Sequence, residues 1–157
     1  FSTLPEPVLM KVEINSFLEN FLQQFSKEWE NVNICTNLSS NTLFVSIDQK
    51  LFRNVFINII DNASEANPGS LIKLLITTSR AENYVNIEFF NTGVSLDEKI
   101  REKIFDLHFS TKDTIQNSGL GLAIAKTTIL QHQGEIYCVP EDQGVRFAIK
   151  LPVCREV

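Results

Sequence analysis

The chain has few residues that could hold a metal or a disulfide framework. It contains two histidines and three cysteines, Cys35, Cys138 and Cys154. The cysteines are far apart and form no Cys-x-x-Cys pair or Cys/His cluster, which argues against a zinc site and a disulfide scaffold. We therefore expect reduced, structural thiols of the kind found in cytosolic proteins.

The chain also lacks a long apolar run and an excess of basic residues. No stretch approaches the ~20 apolar residues that cross a bilayer, and no signal peptide is visible. The 14 basic and 19 acidic residues give a formal charge of −5, so no basic surface is available to release counterions from nucleic acid. These absences predict a domain without direct membrane or nucleic-acid contact. A phosphorylated small molecule is still permitted, because backbone N–H groups and a metal can meet its charge.

The composition that is present suits one compact globular domain. Of 157 residues, 43% are hydrophobic and 21% charged, and twelve are Phe, enough for a single core. Because the first residue is Phe1 and not Met, we expect a fragment of a longer protein. The opening FSTLPEP, residues 1–7, contains two prolines and is predicted to be a linker, followed by one domain over 8–157.

Hydrophobic periodicity predicts a few helices beside a mostly antiparallel sheet, which is an α+β two-layer sandwich. The predicted elements are a strand at 9–14, a helix at 15–29 capped by Asn15 or Ser16, a hairpin of strands at 32–38 and 41–47, a helix capped by Asp48 and stopped by Pro68-Gly69, paired strands at 71–79 and 83–91, a helix at 96–104 with a Ser95–Glu98 capping box, a helix at 118–134 capped by Ser118, and a hairpin of strands at 135–139 and 145–152.

The stretch LFRNVFINIIDNASEA, residues 51–66, combines an apolar helix face with polar residues at helical spacing. At 100° per residue, Asn58, Asn62 and Glu65 fall within an arc of roughly 60°. An exposed polar face would explain this pattern equally well. Small Ala63 and Ala66 leave room for another group to approach this side of the helix.

The stretch NSGLGLAIAK, residues 117–126, places Gly119 and Gly121 at the start of a helix. Bare N–H groups at a helix N-terminus form an anion site. A Gly-x-Gly pair alone is weak evidence, since most such pairs are turns. The dinucleotide fingerprint is rejected because Ile124 stands where a third glycine is needed, and no Gly-Lys-Ser/Thr is present for a P-loop.

The order of these motifs resembles the ATP-binding catalytic domain of sensor histidine kinases, in the superfamily of gyrase, Hsp90 and MutL. NVFINIIDNASEA is similar to the N box, NTGVSL to the G1 box, IFDLHFSTK to the F box and NSGLGLAIAK to the G2 box. The resemblance covers about residues 8–153 and implies the Bergerat fold, a mixed, mostly antiparallel sheet packed against three main helices. The opening FSTLPEP and the short segment between the F and G2 boxes suggest the nitrogen-regulation branch.

The resemblance implies that this domain binds ATP and Mg²⁺ and transfers the γ-phosphoryl group to a histidine. Its implied partners are an upstream dimerisation domain that carries that histidine, and a response regulator. It implies a cytoplasmic location and leaves open whether the parent protein is anchored in the inner membrane. Neither His108 nor His132 has the context of the acceptor, so we expect structural or surface histidines and no self-labelling.

The resemblance also assigns roles to individual residues. The catalytic set is Asn58 beside the phosphates, Asn62 as the Mg²⁺ ligand and Lys112 neutralising phosphate charge. Asn91 reads the adenine edge and Gly93 lets the ring approach. The full nucleotide-binding set is Asn58, Asn62, Asn91, Gly93, Leu96, Phe109, Thr111, Lys112, Ser118, Gly119, Leu120, Gly121 and Leu122.

Two positions shape the functional expectation. The hydrolases of this superfamily place a Glu general base where Asn58 stands, whereas a neutral imidazole acceptor needs no such base. The family usually has Asp where Asn91 stands, and a neutral acceptor is about half as strong. We expect ATP to bind about fivefold more weakly as a result. The alternatives are a degenerate, non-catalytic domain acting through protein contacts, and an ATPase of the gyrase or Hsp90 kind.

Overall fold

The computed structural model describes residues 6–107 and 120–154. It confirms the predicted α+β sandwich, with a mixed sheet packed against three main helices, α1, α2 and α4. The helices are α1 Ile14–Phe25, α2 Gln49–Ala66, α3 Glu98–Lys103 and α4 Gly121–Gln131, with a short 3-10 turn at Ser26–Glu28. The strands are β1 Met10–Glu13, β2 Val32–Asn37, β3 Phe44–Ile47, β4 Ile72–Ala81, β5 Tyr84–Thr92, β6 Glu135–Val139 and β7 Gly144–Pro152.

The main sheet has five strands in the order β2-β4-β5-β7-β6. The pairs β4–β5, β5–β7 and β7–β6 are antiparallel, and β2 runs parallel to β4. Both predicted pairings, β4 with β5 and β6 with β7, are confirmed. β1 and β3 form a separate two-stranded antiparallel sheet.

The predicted hairpin of 32–38 and 41–47 is wrong. β2 pairs with β4, and β3 pairs with β1. The connection between β2 and β3 is held by a buried side chain of α1 instead of a hairpin turn. The Asn15 amide donates to the carbonyl oxygens of Ser39 and Asn41, at 2.9 and 3.2 Å. These bonds satisfy backbone groups that a hairpin would have paired across its strands.

Two predicted helix caps are also wrong. Glu13, and not Asn15 or Ser16, caps α1, because its carboxylate accepts hydrogen bonds from the backbone N–H groups of both residues. Asp97 caps α3 by accepting from Ile100 N at 2.9 Å, so the Ser95–Glu98 capping box does not form. A carboxylate at these positions meets both the free N–H groups and the positive end of the helix dipole.

The long helix α2 packs one face in the core, and its opposite, polar face is half-buried or exposed. Its core-facing side chains are buried, among them Phe52, Phe56 and Ile60. The Phe56 ring lies 5.4 Å from the rings of both Phe21 on α1 and Phe89 on β5. The asparagine-bearing side of α2 is therefore turned away from the core.

The three cysteines differ in exposure, and none of the described helices can span a membrane. Cys35 is exposed on the edge strand β2, which corrects the prediction that it is a structural thiol, while Cys138 and Cys154 are half-buried. Within 6–107 and 120–154, every helix is too short or too polar to cross a bilayer.

Candidate functional site

The asparagine side of α2 carries two carboxamides that are neither buried nor fully exposed. Asn58 and Asn62 are half-buried, whereas Asn54 and Glu65 on the same helix are exposed. Neither Asn58 nor Asn62 takes part in a hydrogen bond among the residues that the structure describes. An intermediate burial with free amide groups is typical of a surface that receives a ligand.

The start of α4 lies directly beside Asn58. A Cβ atom placed on Gly121 would be 3.4 Å from the Asn58 amide oxygen, about van der Waals contact, so the first turn of α4 lies directly against Asn58. Leu120 is the N-cap residue, and its side chain makes no capping hydrogen bond. The N–H groups of this first turn therefore point toward the space beside Asn58 and suit an anion.

The turn after β5 lies against the other end of α2. Gly93 has a φ of +132°, a conformation that L side chains rarely adopt. A Cβ atom on Gly93 would also lie 2.5 Å from the Asn67 amide oxygen. Glycine is thus required at position 93 for its conformation and for the space.

Asn67 itself was missed by the sequence analysis. It ends α2 and donates from its side chain to the Ala63 carbonyl at 3.1 Å. Because asparagine is common at helix C-termini, its identity is explained locally and gives no signal that it contacts the Gly93 turn.

Asn91 is a buried polar residue with one unsatisfied atom. Its side chain is 3% exposed, and its Nδ2 donates to the Thr92 carbonyl at 3.0 Å. Within the described parts of the chain, the Asn91 amide oxygen has no donor. A buried acceptor without a donor is unfavourable by about 1–3 kcal/mol, so a ligand that donates a hydrogen bond here fits the site.

These contacts define a platform along α2. Gly121 meets the helix at Asn58 and Gly93 meets it at Asn67, and between these residues the helix rises about 13 Å at ~1.5 Å per residue. Asn62 lies between the two. We call the Asn91–Gly93–Asn67 side the base end and the Asn58–Gly121 side the phosphate end.

The acidic neighbour of Asn62 is already engaged. Trp29 Nε1 donates to the Asp61 carboxylate at 2.7 Å, a contact that no sequence pattern indicated. In 6–107 and 120–154, no group of three or more His, Cys, Asp or Glu side chains could hold a metal ion. The donor set beside the platform is thus neutral amide oxygen, which suits Mg²⁺ only when phosphate and water oxygens supply the other ligands.

The remaining predicted site residues divide into two groups. Leu96 and Leu120 are half-buried, and Leu122 is buried in the core at the start of α4. The others, Phe109, Thr111, Lys112, Ser118 and Gly119, lie outside the described residues, as do His108 and the predicted Ser118 cap.

The structure contains two grooves near these elements. One of about 290 Å³ lies between α2 and α4 and extends from Lys50 to Asn58, with Ile124 and Thr128 on its α4 side. A second, shallower groove of about 340 Å³ lies between α3 and β6, beside Phe105 and Tyr137. Only the first adjoins a predicted site residue, so we consider it part of the candidate site.

His132 is a structural histidine, as predicted. It is 5% exposed. Its Nδ1 lies 2.7 Å from the Thr128 carbonyl oxygen, and its Nε2 accepts from Asp48 N at 3.0 Å. The imidazole therefore joins the end of α4 to the beginning of α2.

Comparisons with known proteins are consistent with this geometry. Residues 47–155 match the family described as "Histidine kinase-, DNA gyrase B-, and HSP90-like ATPase". The sensor protein KdpD of Clostridium acetobutylicum is 32% identical over 83% of this chain and 15% of its own length. The sensor histidine kinase WalK of Bacillus subtilis is 30% identical over 92% of this chain and 25% of its own. The chain thus spans a quarter or less of these two relatives.

Solved structures give the same result. The catalytic domain of the histidine kinase ThkA superposes with a TM-score of 0.80 at 28% identity, over 92% of this chain and 95% of that one. ThkA in complex with the response regulator TrrA matches with a TM-score of 0.79 at 26% identity, over 94% of this chain and 42% of that one. The resemblance to sensor histidine kinases is confirmed, while the nitrogen-regulation branch stays a prediction.

Proposed function

This chain belongs to the histidine kinase-, DNA gyrase B- and HSP90-like ATPase family, and on that premise we propose that it binds Mg·ATP and transfers the γ-phosphoryl group to a histidine of a separate dimerisation domain. One observation carries this proposal. The first turn of α4, whose N-cap residue Leu120 makes no side-chain capping bond, lies against the carboxamide stripe of α2, with Gly121 beside Asn58.

The base end supports adenine as the base. The Thr92 carbonyl holds the Asn91 Nδ2 at 3.0 Å, which leaves the buried amide oxygen facing the ligand. An acceptor at this position pairs with the 6-amino group of adenine and leaves the 6-oxo group of guanine without a donor. Gly93 leaves the adjacent space free of a side chain.

The phosphate end supports a triphosphate with its metal. The N–H groups of the first turn of α4, beginning at Gly121, and the Asn58 amide suit phosphate oxygens. Asn62 is the residue that would hold Mg²⁺. When bound, Mg²⁺ would neutralise the charge that develops on the phosphate oxygens.

The amide of Asn58, in place of a general base, indicates which kind of phosphoryl acceptor the site can use. An amide cannot remove a proton from water, so the described residues at this position favour an acceptor that already presents a lone pair. A neutral imidazole does so near pH 7. Phosphoryl transfer then depends on positioning and charge stabilisation, which the α4 N-terminus and the α2 stripe both provide.

Family membership extends the proposal to residues outside 6–107 and 120–154. Lys112 and Thr111 would contact phosphate, Phe109 would hold the segment between the F and G2 boxes against the body of the domain, and Ser118 and Gly119 would continue the anion site N-terminal to Leu120. The names of the relatives support a two-component pathway with a response regulator as the downstream partner, and a cytoplasmic location for this domain. ThkA has been solved with such a regulator.

A phosphotransfer assay tests the proposal. The chain is mixed with the histidine-bearing dimerisation domain of its own parent protein and γ-labelled ATP. We expect acid-labile, base-stable label on the dimerisation domain and none on this chain. Asn58→Ala should lower transfer. Asn20→Ala, at an exposed position on α1, is its matched control and should leave transfer unchanged.

The other outcomes decide between functions. Release of labelled phosphate by the chain alone would indicate a hydrolase of the gyrase or Hsp90 kind. Nucleotide binding without transfer to the dimerisation domain would indicate a non-catalytic domain. Either outcome would contradict the proposed kinase activity.

A further inference from the structure

We propose that His132 is a positioning residue for triphosphate binding: its hydrogen bond to the Asp48 backbone fixes the far end of α4 on α2 and so sets the position of Gly121 beside Asn58. This inference rests on the proposed function, because the geometry that it controls is that of the phosphate end.

The first step is the state of the imidazole. His132 Nδ1 contacts the Thr128 carbonyl, so it must carry a proton, and Nε2 accepts from Asp48 N, so it must not. Only the neutral ring protonated at Nδ1 satisfies both contacts. The ring also meets the edge of Phe52 on α2, with centroids 4.7 Å apart.

The second step is what the ring is attached to. Asp48 is the N-cap of α2, and its carboxylate accepts from Leu51 N at 3.1 Å and from Val8 N at 2.9 Å. His132 therefore bonds to the residue that starts the platform helix and also anchors the segment that enters the domain. Among the described residues, the hydrogen bonds and the ring contact of this junction involve none of the predicted nucleotide-binding residues.

The third step is the arrangement of the two helices. α4 meets α2 near Asn58 at its first residue and near Asp48 at its C-cap, so the helices are antiparallel. Between these contacts their solvent side is separated by the groove of about 290 Å³. Beneath the groove, Ala125 and Ile129 of α4 pack in the core. A helix held by a core contact can tilt, so release of its C-terminal end moves its N-terminal end.

Burial of the ring favours the neutral form and outweighs its charged neighbour. Burial lowers the pKa of His132, while the Thr128 hydrogen bond and the Asp48 carboxylate oppose this effect. In the described residues that contact the ring, Asp48 is the charged group, and Phe52 and Thr128 are uncharged. Protonation converts Nε2 from an acceptor into a donor that faces the Asp48 N–H, so the bond between the helices is lost as the pH falls.

Two isosteric variants separate the contacts. Gln places an amide oxygen near the position of Nε2, so His132→Gln keeps an acceptor for Asp48 N. Asn places its amide near Nδ1, so His132→Asn keeps the contact to Thr128 and loses the bond to α2. Calorimetry of this chain with adenosine and with Mg·ATP measures both ends of the site separately.

The expected result is selective. His132→Asn should weaken Mg·ATP by about tenfold, the effect of one lost hydrogen bond, and change adenosine affinity by less than about twofold. His132→Gln should restore Mg·ATP binding to within about threefold of the wild type. Equal weakening of adenosine and Mg·ATP, or equal behaviour of the two variants, would overturn the inference. If the wild type binds no Mg·ATP at all, the proposed function fails first.

A measurement on the wild type covers the case in which the variants do not fold. Nitrogen-detected NMR gives the His132 tautomer and its titration, and the backbone amide of Gly121 reports on the other end of α4. We expect a ring protonated at Nδ1 at neutral pH and a Gly121 resonance that shifts with the His132 titration. A Gly121 resonance that is unchanged while His132 titrates would contradict the inference.

Discussion

The two ends of the platform on α2 are built in different ways. At the base end, a buried side chain, a glycine with positive φ and a helix-terminal asparagine are fixed against each other. At the phosphate end, the contacts come from an uncapped helix start and from two carboxamides with no hydrogen bonds to other described residues.

This difference indicates a division of labour. On the proposed function, the base end would select by shape and by one hydrogen bond, so it should distinguish bases and tolerate little change. The phosphate end provides partial positive charge along a backbone, so it should bind any polyphosphate that reaches it and depend on the metal. Substitutions at one end should therefore leave the other end's ligand unaffected.

The largest expected effect comes from removing the metal ligand. Asn62→Ala should lower phosphotransfer about 100-fold, comparable to the loss of a metal-supporting residue, and leave adenosine binding unchanged. Wild-type protein in EDTA should bind ATP as the variant does. The phosphotransfer assay measures the loss of transfer. Calorimetry with adenosine and with ATP, in Mg²⁺ and in EDTA, measures binding, with Asn20→Ala as the control. Parallel loss of adenosine and Mg·ATP binding would mean that the two ends are not independent.

The next effect breaks the base end. Gly93→Ala adds backbone strain and a contact with Asn67, and should lower the free energy of unfolding by about 1–3 kcal/mol while weakening adenosine and ATP equally. Gly93→Ala in an Asn67→Gly background keeps the backbone strain and removes the Asn67 side chain that the new Cβ would meet. Denaturant unfolding of Gly93→Ala in the two backgrounds isolates the contact. Equal destabilisation in both backgrounds would remove Asn67 from the account.

A smaller effect sharpens the base end. Asn91→Asp replaces a neutral acceptor by a charged one and should tighten ADP about fivefold, with no gain for GDP. Calorimetry with the two diphosphates makes the comparison. Weaker ADP binding by the variant would show that Asn91 does not read the adenine edge.

The smallest effect concerns the cap that supports the phosphate end. Burial would raise the pKa of the Asp48 carboxyl, but the N–H groups of Val8, Leu51 and Lys50 outweigh it and lower the pKa. Its stabilising contribution is therefore complete above the unfolded value of 3.8 and is lost as the pH falls through the folded value.

Asp48→Ala should accordingly lower the free energy of unfolding by about 1 kcal/mol at pH 7. The difference between variant and wild type should shrink in acid, because below pH 3.8 the unfolded chain binds a proton at Asp48 before the native carboxyl does. Urea unfolding at pH 7 and pH 3 measures it. An equal difference at both pH values would contradict the assigned role of the carboxylate.

The sequence predicted those parts of the molecule whose cause is local. The α2 pattern, the Asp48 cap and the two antiparallel pairings follow from periodicity and turn residues. The parallel pairing of β2 with β4 could not be predicted from local patterns, because β3 and α2 lie between these strands along the chain. The caps at Glu13 and Asp97 were missed because Ser and Asn are frequent N-cap residues, and the candidates of these types lie two or three residues from the carboxylates that form the caps.

The same contrast between local and long-range causes applies to the candidate site. Asn58, Asn62, Asn91 and the glycines were found from motifs. Asn67 and the His132–Asp48 bond were not, because each joins residues that are far apart in sequence or has a sufficient local explanation. Contacts that position a motif leave less trace in a sequence than the motif itself.

One measurement tests the central claim that the carboxamides of α2 and the start of α4 receive a metal triphosphate. Mn²⁺ takes oxygen ligands as Mg²⁺ does and broadens NMR signals near it. With Mn²⁺ and a non-hydrolysable ATP analogue, we expect strong broadening of the Asn58 and Asn62 side-chain amides and the Gly121 backbone amide, and weaker broadening at Asn91. Broadening centred on Asn91, or none at Asn62 with the analogue bound, would contradict the account.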